Sequence, residues 1–188
     1  ALLMMHDDAR DAEREARAAL RAPRVLAPWT TEAPLFFHLT DTSADGVRHA
    51  VDQMAQVGFE LLIFSFGSDF DMETSNQTYV NEKAELISYA NARGVEVAGY
   101  DLVVLDRGDP AAGAYGAYVG DAWVARGADG VTKTGDACAA SGWDGALRAK
   151  VQQWLDVGLT GVELDGPYGG GACGATNHSG HRDLADSV

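Results

Sequence analysis

The sequence has no run of about 18 apolar residues, so no segment reads as a membrane-spanning helix. Positive charge is scarce: 14 Lys and Arg stand against 28 Asp and Glu, giving a net charge of -14. No basic stripe interrupts this, so a duplex phosphate backbone is repelled and nucleic acid is excluded as a partner. Cysteine is almost missing. The two present, Cys138 and Cys173, belong to no Cys-x-x-Cys pair, which removes the usual zinc signature. Both stand in glycine-rich loops beyond expected elements, where a loop-to-loop disulfide is physically reasonable beside free thiols or a metal contribution. No Gly-x-Gly-x-x-Gly follows the first apolar run, and the glycines at 166–174 lack the lysine of a phosphate-binding loop.

What is present is an ordinary globular balance, 46% hydrophobic and 22% charged over 188 residues, sufficient for one domain and short for two. Residues 7–21 are rich in Ala, Arg and Glu, acidic early and basic late, and predict a surface helix within an N-terminal stretch 1–27. From residue 28 the periodicity switches repeatedly. Short apolar runs at 35–39, 59–66, 95–101 and 160–165 predict strands. Amphipathic patterns at 44–57, 79–92 and 143–157 predict helices, with a long excursion before the last of them.

Three of these joints share a device: VGFELL, RGVEVA and VGLTGVEL each put a glycine just before the next strand, as a left-handed cap at a helix end requires. Strand–helix alternation of this kind predicts parallel strands joined by right-handed crossovers. Of the two architectures with this signature, the missing dinucleotide fingerprint disfavours the doubly wound sheet. The expected fold is α/β, a partial (β/α)8 barrel of about four βα units over residues 28–188. A complete barrel has eight strands and about 250 residues. Four strands alone leave an unpaired edge and an apolar face, so the segment by itself is expected to be marginal or to associate.

In a barrel the catalytic groups come from the carboxyl ends of several strands. Those ends are His38 and Asp41, then Ser68, Asp69 and Glu73, then Tyr100 and Asp101, and finally Asp165, with Phe66, Phe70, Trp143 and Tyr168 nearby. Carboxylates that accept from hydroxyls, together with flat rings that stack on a pyranose, describe a carbohydrate site. Plainer roles compete at several positions: Asp41 and Asp69 suit turns and caps, Glu73 an exposed loop, and Trp143 the packing of a helix start. Asp165 has the strongest case, because Gly166 and Pro167 turn the chain away and leave its carboxylate behind. Glu163 shares its strand parity, and two neighbouring carboxylates require a cation or a hydrogen-bond donor to remain charged. Cys173, His178 and His181 form Cys-x4-His-x2-His, which is not zinc-finger spacing; hydrogen bonding around the site is the favoured role, and no metal is expected.

The series PLFFHLT, GFELLIFSFGSDFDMET, GVEVAGYDLVV and GVELDGPYGGGACGATNHSGHRDLADS resembles the first half of the catalytic barrel of α-galactosidase-like glycoside hydrolases of clan D. It is most similar to a bacterial branch with an acidic loop of this kind and a Cys-x-x-Thr-x-His-x-Gly-His stretch. The resemblance implies that Asp165 is the nucleophile of a retaining hydrolase and that Asp69 holds sugar hydroxyls. It further implies an opposing acid about 5–5.5 Å from Asp165. Glu163 stands where the clan usually carries a lysine. Tyr100, Asp101, Glu73, Trp143, Tyr168, His178 and His181 complete the expected substrate-binding set. No metal or organic cofactor is needed, and the expected partner is an oligosaccharide or glycoside. The acid/base Asp lies on a later strand in the clan, so the other half of the barrel is expected in the full-length protein, and this segment alone is expected to be inactive. A carbohydrate-binding or scaffold barrel, and a sugar-phosphate enzyme on the same fold, are the alternatives. Mainly acidic loops disfavour the latter.

Overall fold

The computed structural model describes residues 34–105, 119–165 and 172–178. The expected helix at 7–21, Tyr168 and His181 lie outside the described residues. All the elements below belong to the unit Phe36–Val188.

Four strands, β1 (Phe36–Leu39), β2 (Leu61–Phe64), β3 (Glu96–Leu102) and β6 (Gly161–Asp165), form one parallel sheet in the order β1-β2-β3-β6. Each new strand is added beside the previous one, so among the described residues the order never reverses as it does in a doubly wound sheet. Three helices, α1 (Ala44–Val57), α2 (Gln77–Asn91) and α3 (Trp143–Asp156), supply the crossovers.

The helices form where the sequence supplies both ends. Ser43 accepts from the Gly46 N–H and Asn76 from the N–H groups of Thr78 and Tyr79, which satisfies donors that an isolated helix start leaves open. At the joints into β2, β3 and β6, Gly58, Gly94 and Gly158 have φ of 82°, 75° and 102°, a conformation that a side chain would strain.

Sheet alternation separates two faces. Leu62, Phe64 and Val97 share one face and are fully buried with Val47, Val51, Val80, Ile87 and Trp154. On α3, Trp143, Leu147 and Trp154 are buried, whereas Leu155 is exposed. Trp154 is the keystone of this layer. Its Nε1 donates to Met72 O at 2.8 Å, and its ring lies 4.7 Å from that of Phe70. Gly99 makes room for this arrangement, because a Cβ there would stand 2.5 Å from Met72 Sδ.

The excursion between β3 and α3 contains a feature that hydrophobic periodicity missed, an antiparallel hairpin of β4 (Val124–Arg126) and β5 (Lys133–Ala137). Asp129 shapes its loop by accepting from the N–H groups of Val131 and Thr132 and from the Thr132 hydroxyl. The Asp129-Gly130 dipeptide was the available signal.

Candidate functional site

The register places alternate residues of the strands on a face opposite to the apolar layer. His38 aligns with Ile63 and Ala98, and Tyr100 aligns with Glu163 one pleat further toward the carboxyl ends; Asp165 follows after another two residues. His38, Tyr100, Glu163 and Asp165 therefore project from the same side of the sheet. The parity expected for Glu163 and Asp165 is the one observed.

Contacts join these residues into two sets, Tyr100 with Asp165 and His38 with Ser65 and Glu163. Tyr100 donates its hydroxyl to Asp165 Oδ2. His38 reaches two neighbours at once: Nδ1 lies 3.0 Å from Ser65 Oγ, and Nε2 lies 3.5 Å from Glu163 Oε2. The second contact is an ion pair whenever the imidazole is protonated. Phe66 stands edge-on to Tyr100 with ring centroids 5.5 Å apart, and is itself exposed. Each carboxylate on the strand thus has its own partner, a phenol for Asp165 and an imidazole for Glu163. That answers the electrostatic problem of two acids two residues apart. His38 was visible at a strand end, but its role in spanning from β1 to β6 depends on pairings that a single sequence does not reveal.

Together the two sets are chemically coherent. A phenol that donates to a carboxylate favours the ionised form and fixes its orientation, as a nucleophile or a hydroxyl acceptor requires. His38, Ser65 and Glu163 add donors and acceptors, and Phe66 adds an exposed ring.

Other expected binding residues lie elsewhere. Asp101 has the opposite parity to Tyr100 and is buried, with 5% of its surface exposed, so it does not share the face of Asp165. Trp143 is equally buried. It packs with Ala137 and Leu147, and its Nε1 donates to Val103 O at 2.6 Å, so it is a packing residue and not a sugar platform. Asp69 is turned toward the helices, where it accepts from the Thr42 hydroxyl. The Lys83 ammonium donates to Thr42 O at 2.6 Å, so Asp69 helps to fasten the loops after β1 and β2 to α2. Burial holds Lys83 below the usual lysine range, while Asp69 opposes that shift. These residues line a cleft of about 360 Å³ between α1 and α2. Glu73 occupies the loop after β2. Its flanks are fastened to α3, where Trp154 holds Met72 O and Lys150 Nζ donates to Thr74 O at 3.0 Å.

Of the roles left open for Cys138 and Cys173, the disulfide is not the one formed: the two thiols are unbridged in the structure. Both are buried beside the β4–β5 hairpin, and His178 joins them there. Burial, with a hydrogen bond to Cys173, pushes the Cys138 thiol up to about 11. His178 contacts Cys173 Sγ through Nε2 at 3.5 Å and Ala122 O through Nδ1 at 3.2 Å.

No protein-family model matches the chain, and no curated protein matches it.

Proposed function

We propose that the chain is half of a (β/α)8 barrel from a retaining glycoside hydrolase of α-galactosidase type, with Asp165 as the nucleophile. The observation that carries this reading is the Tyr100–Asp165 hydrogen bond at the carboxyl ends of adjacent parallel strands, with His38 and Glu163 on the same face. Strands added strictly in sequence and joined by helical crossovers are what half a barrel would contain. The outer strand β1 presents Phe36 and Phe37 half-exposed. Beside it, Phe37, Leu39, Ala50, Met54, Val57 and Phe59 line an apolar groove of about 350 Å³. Closing the barrel would pair this strand and fill the groove.

In this mechanism Asp165 attacks the anomeric carbon while an acid on the opposite side protonates the departing oxygen. Water then hydrolyses the glycosyl-enzyme ester, with the same acid acting as base. Tyr100 holds the carboxylate in position before attack. Glu163 and His38 together meet sugar hydroxyls where the clan has a lysine. A galactosyl donor carrying fluorine at C2 and an activated leaving group tests the assignment, since its departure needs no acid. Mass spectrometry of the treated protein should find a glycosyl ester on the peptide containing Asp165 and none in Asp165→Ala. An ester on another residue would refute the assignment.

The Glu163–His38 pair specifically favours a second reading, a barrel that binds saccharide without cleaving it. That reading expects saturable galactoside binding with no ester formed.

A further inference from the structure

We propose that Cys138, Cys173 and His178 form a Zn2+ site that fastens the segment after β6 to the β4–β5 hairpin. One donor atom from each residue lies within 4.8 Å of both others, and both cysteines are buried. In a tetrahedral zinc site, ligand atoms are separated by about 3.5–3.8 Å, as follows from bonds of about 2.3 Å to sulfur and about 2.0–2.1 Å to nitrogen. The Cys173–His178 pair already stands at 3.5 Å. Only a modest approach of the remaining donors completes the triangle.

The surroundings match a metal better than a disulfide. His178 Nδ1 lies against Ala122 O, so a proton on Nδ1 is donated to that carbonyl and the Nε2 lone pair faces the sulfur. An outer hydrogen bond of this kind fixes the tautomer and orientation of a zinc-bound imidazole. One sulfur is met by a backbone donor: the Arg126 N–H reaches Cys173 Sγ at 3.4 Å. Such a donor stabilises the negative charge of a thiolate ligand and contributes little to a neutral disulfide. Two thiolates and a neutral imidazole balance the charge of Zn2+ and leave a fourth position for water. Two soft sulfurs with one nitrogen also select this ion over Mg2+ or Ca2+.

Backbone geometry brings the donors together. Gly174 N–H donates to Arg126 O at 2.9 Å, extending the hairpin by one rung. A Cβ on Gly174 would collide with the backbone of Gly127. This close approach sets Cys173 beside Cys138, which follows β5 directly. Binding converts both thiols to thiolates and releases two protons to solvent, with no change of oxidation state. The inference does not depend on the glycosidase reading.

The test uses the reduced, metal-free 188-residue chain, with far-ultraviolet circular dichroism to confirm folding. Co2+ titration should produce a thiolate-to-cobalt charge-transfer band and strong tetrahedral d–d bands, saturating at one equivalent and abolished by Zn2+. Cys138→Ser and Cys173→Ser should each weaken Co2+ binding by more than about a hundredfold, and Gly174→Ala, which keeps all donors, by at least about tenfold. Zn2+ should also protect both thiols from alkylation. A folded chain with no charge-transfer band at saturating Co2+ would overturn the proposal. So would an unchanged band in the Cys138→Ser/Cys173→Ser double variant, or a Cys138–Cys173 disulfide as the form isolated without added oxidant.

Discussion

The two faces of the parallel sheet come from the same few residues of sequence and have opposite uses. On one, Leu62, Phe64 and Val97 are fully buried beneath the helices. On the other, one residue along, His38, Ser65, Tyr100, Glu163 and Asp165 are linked by polar contacts. The first face gives the fold its stability; the second carries the proposed chemistry at the ends of strands that the first holds in place. Substitutions on the two faces should accordingly separate stability from binding.

The largest expected effect is on the apolar face. Trp154→Ala removes a fully buried ring and its hydrogen bond to Met72 O, and should destabilise the fold by about 3–5 kcal/mol in urea denaturation. Gly99→Ala forces a methyl group against Met72 Sδ and should cost about 1–3 kcal/mol in the same assay. On the polar face, Asp165→Asn keeps an acceptor for Tyr100 and should change stability by less than about 1 kcal/mol, while abolishing ester formation with the fluorinated donor. Should Asp165→Asn prove as destabilising as Trp154→Ala, the division between the faces would fail.

The smallest effect sharpens a different contrast, between the sheet and the hairpin. Hydrogen bonds from Thr132, then from the N–H groups of Val131 and Thr132, hold the Asp129 carboxyl down at about 2, against an ordinary value of 3.8. A depressed carboxyl stabilises the folded hairpin at pH above its unfolded value, and that contribution disappears as pH falls through about 2. Thr132→Val should raise the Asp129 titration midpoint toward the ordinary value, observed by carboxyl NMR, and leave the sheet unaffected. An unmoved midpoint would mean that the Thr132 hydroxyl has no part in the depression.

Local sequence carried most of the sheet and little of the site. The span 44–57 forms the expected helix α1, and the glycines before β2, β3 and β6 take the left-handed conformation expected of them. Both follow from local patterns. Asp165 and Glu163 were legible for the same reason, since strand parity is a local property. The partners were not: His38 meets Glu163, and Tyr100 meets Asp165, across 125 and 65 residues of sequence. Asp69, Asp101 and Trp143 lie away from Asp165 because proximity to a strand end does not fix direction. Asp101 follows Tyr100 by one residue and points to the other face, and Thr42 and Lys83 draw Asp69 to the helix side. The hairpin brings Cys138 to Cys173, as the loop-to-loop reading allowed, and His178 joins both of them there.

The most direct measurement of the central claim is a binding titration with a galactose-configured iminosugar, whose ammonium would pair with a carboxylate at the anomeric position. Saturable binding, followed by NMR shifts of Tyr100 and lost in Asp165→Ala with the fold intact, is the predicted result. Binding that persists without Asp165, or a folded wild-type chain with no response at saturating ligand, would contradict a saccharide site on the polar face.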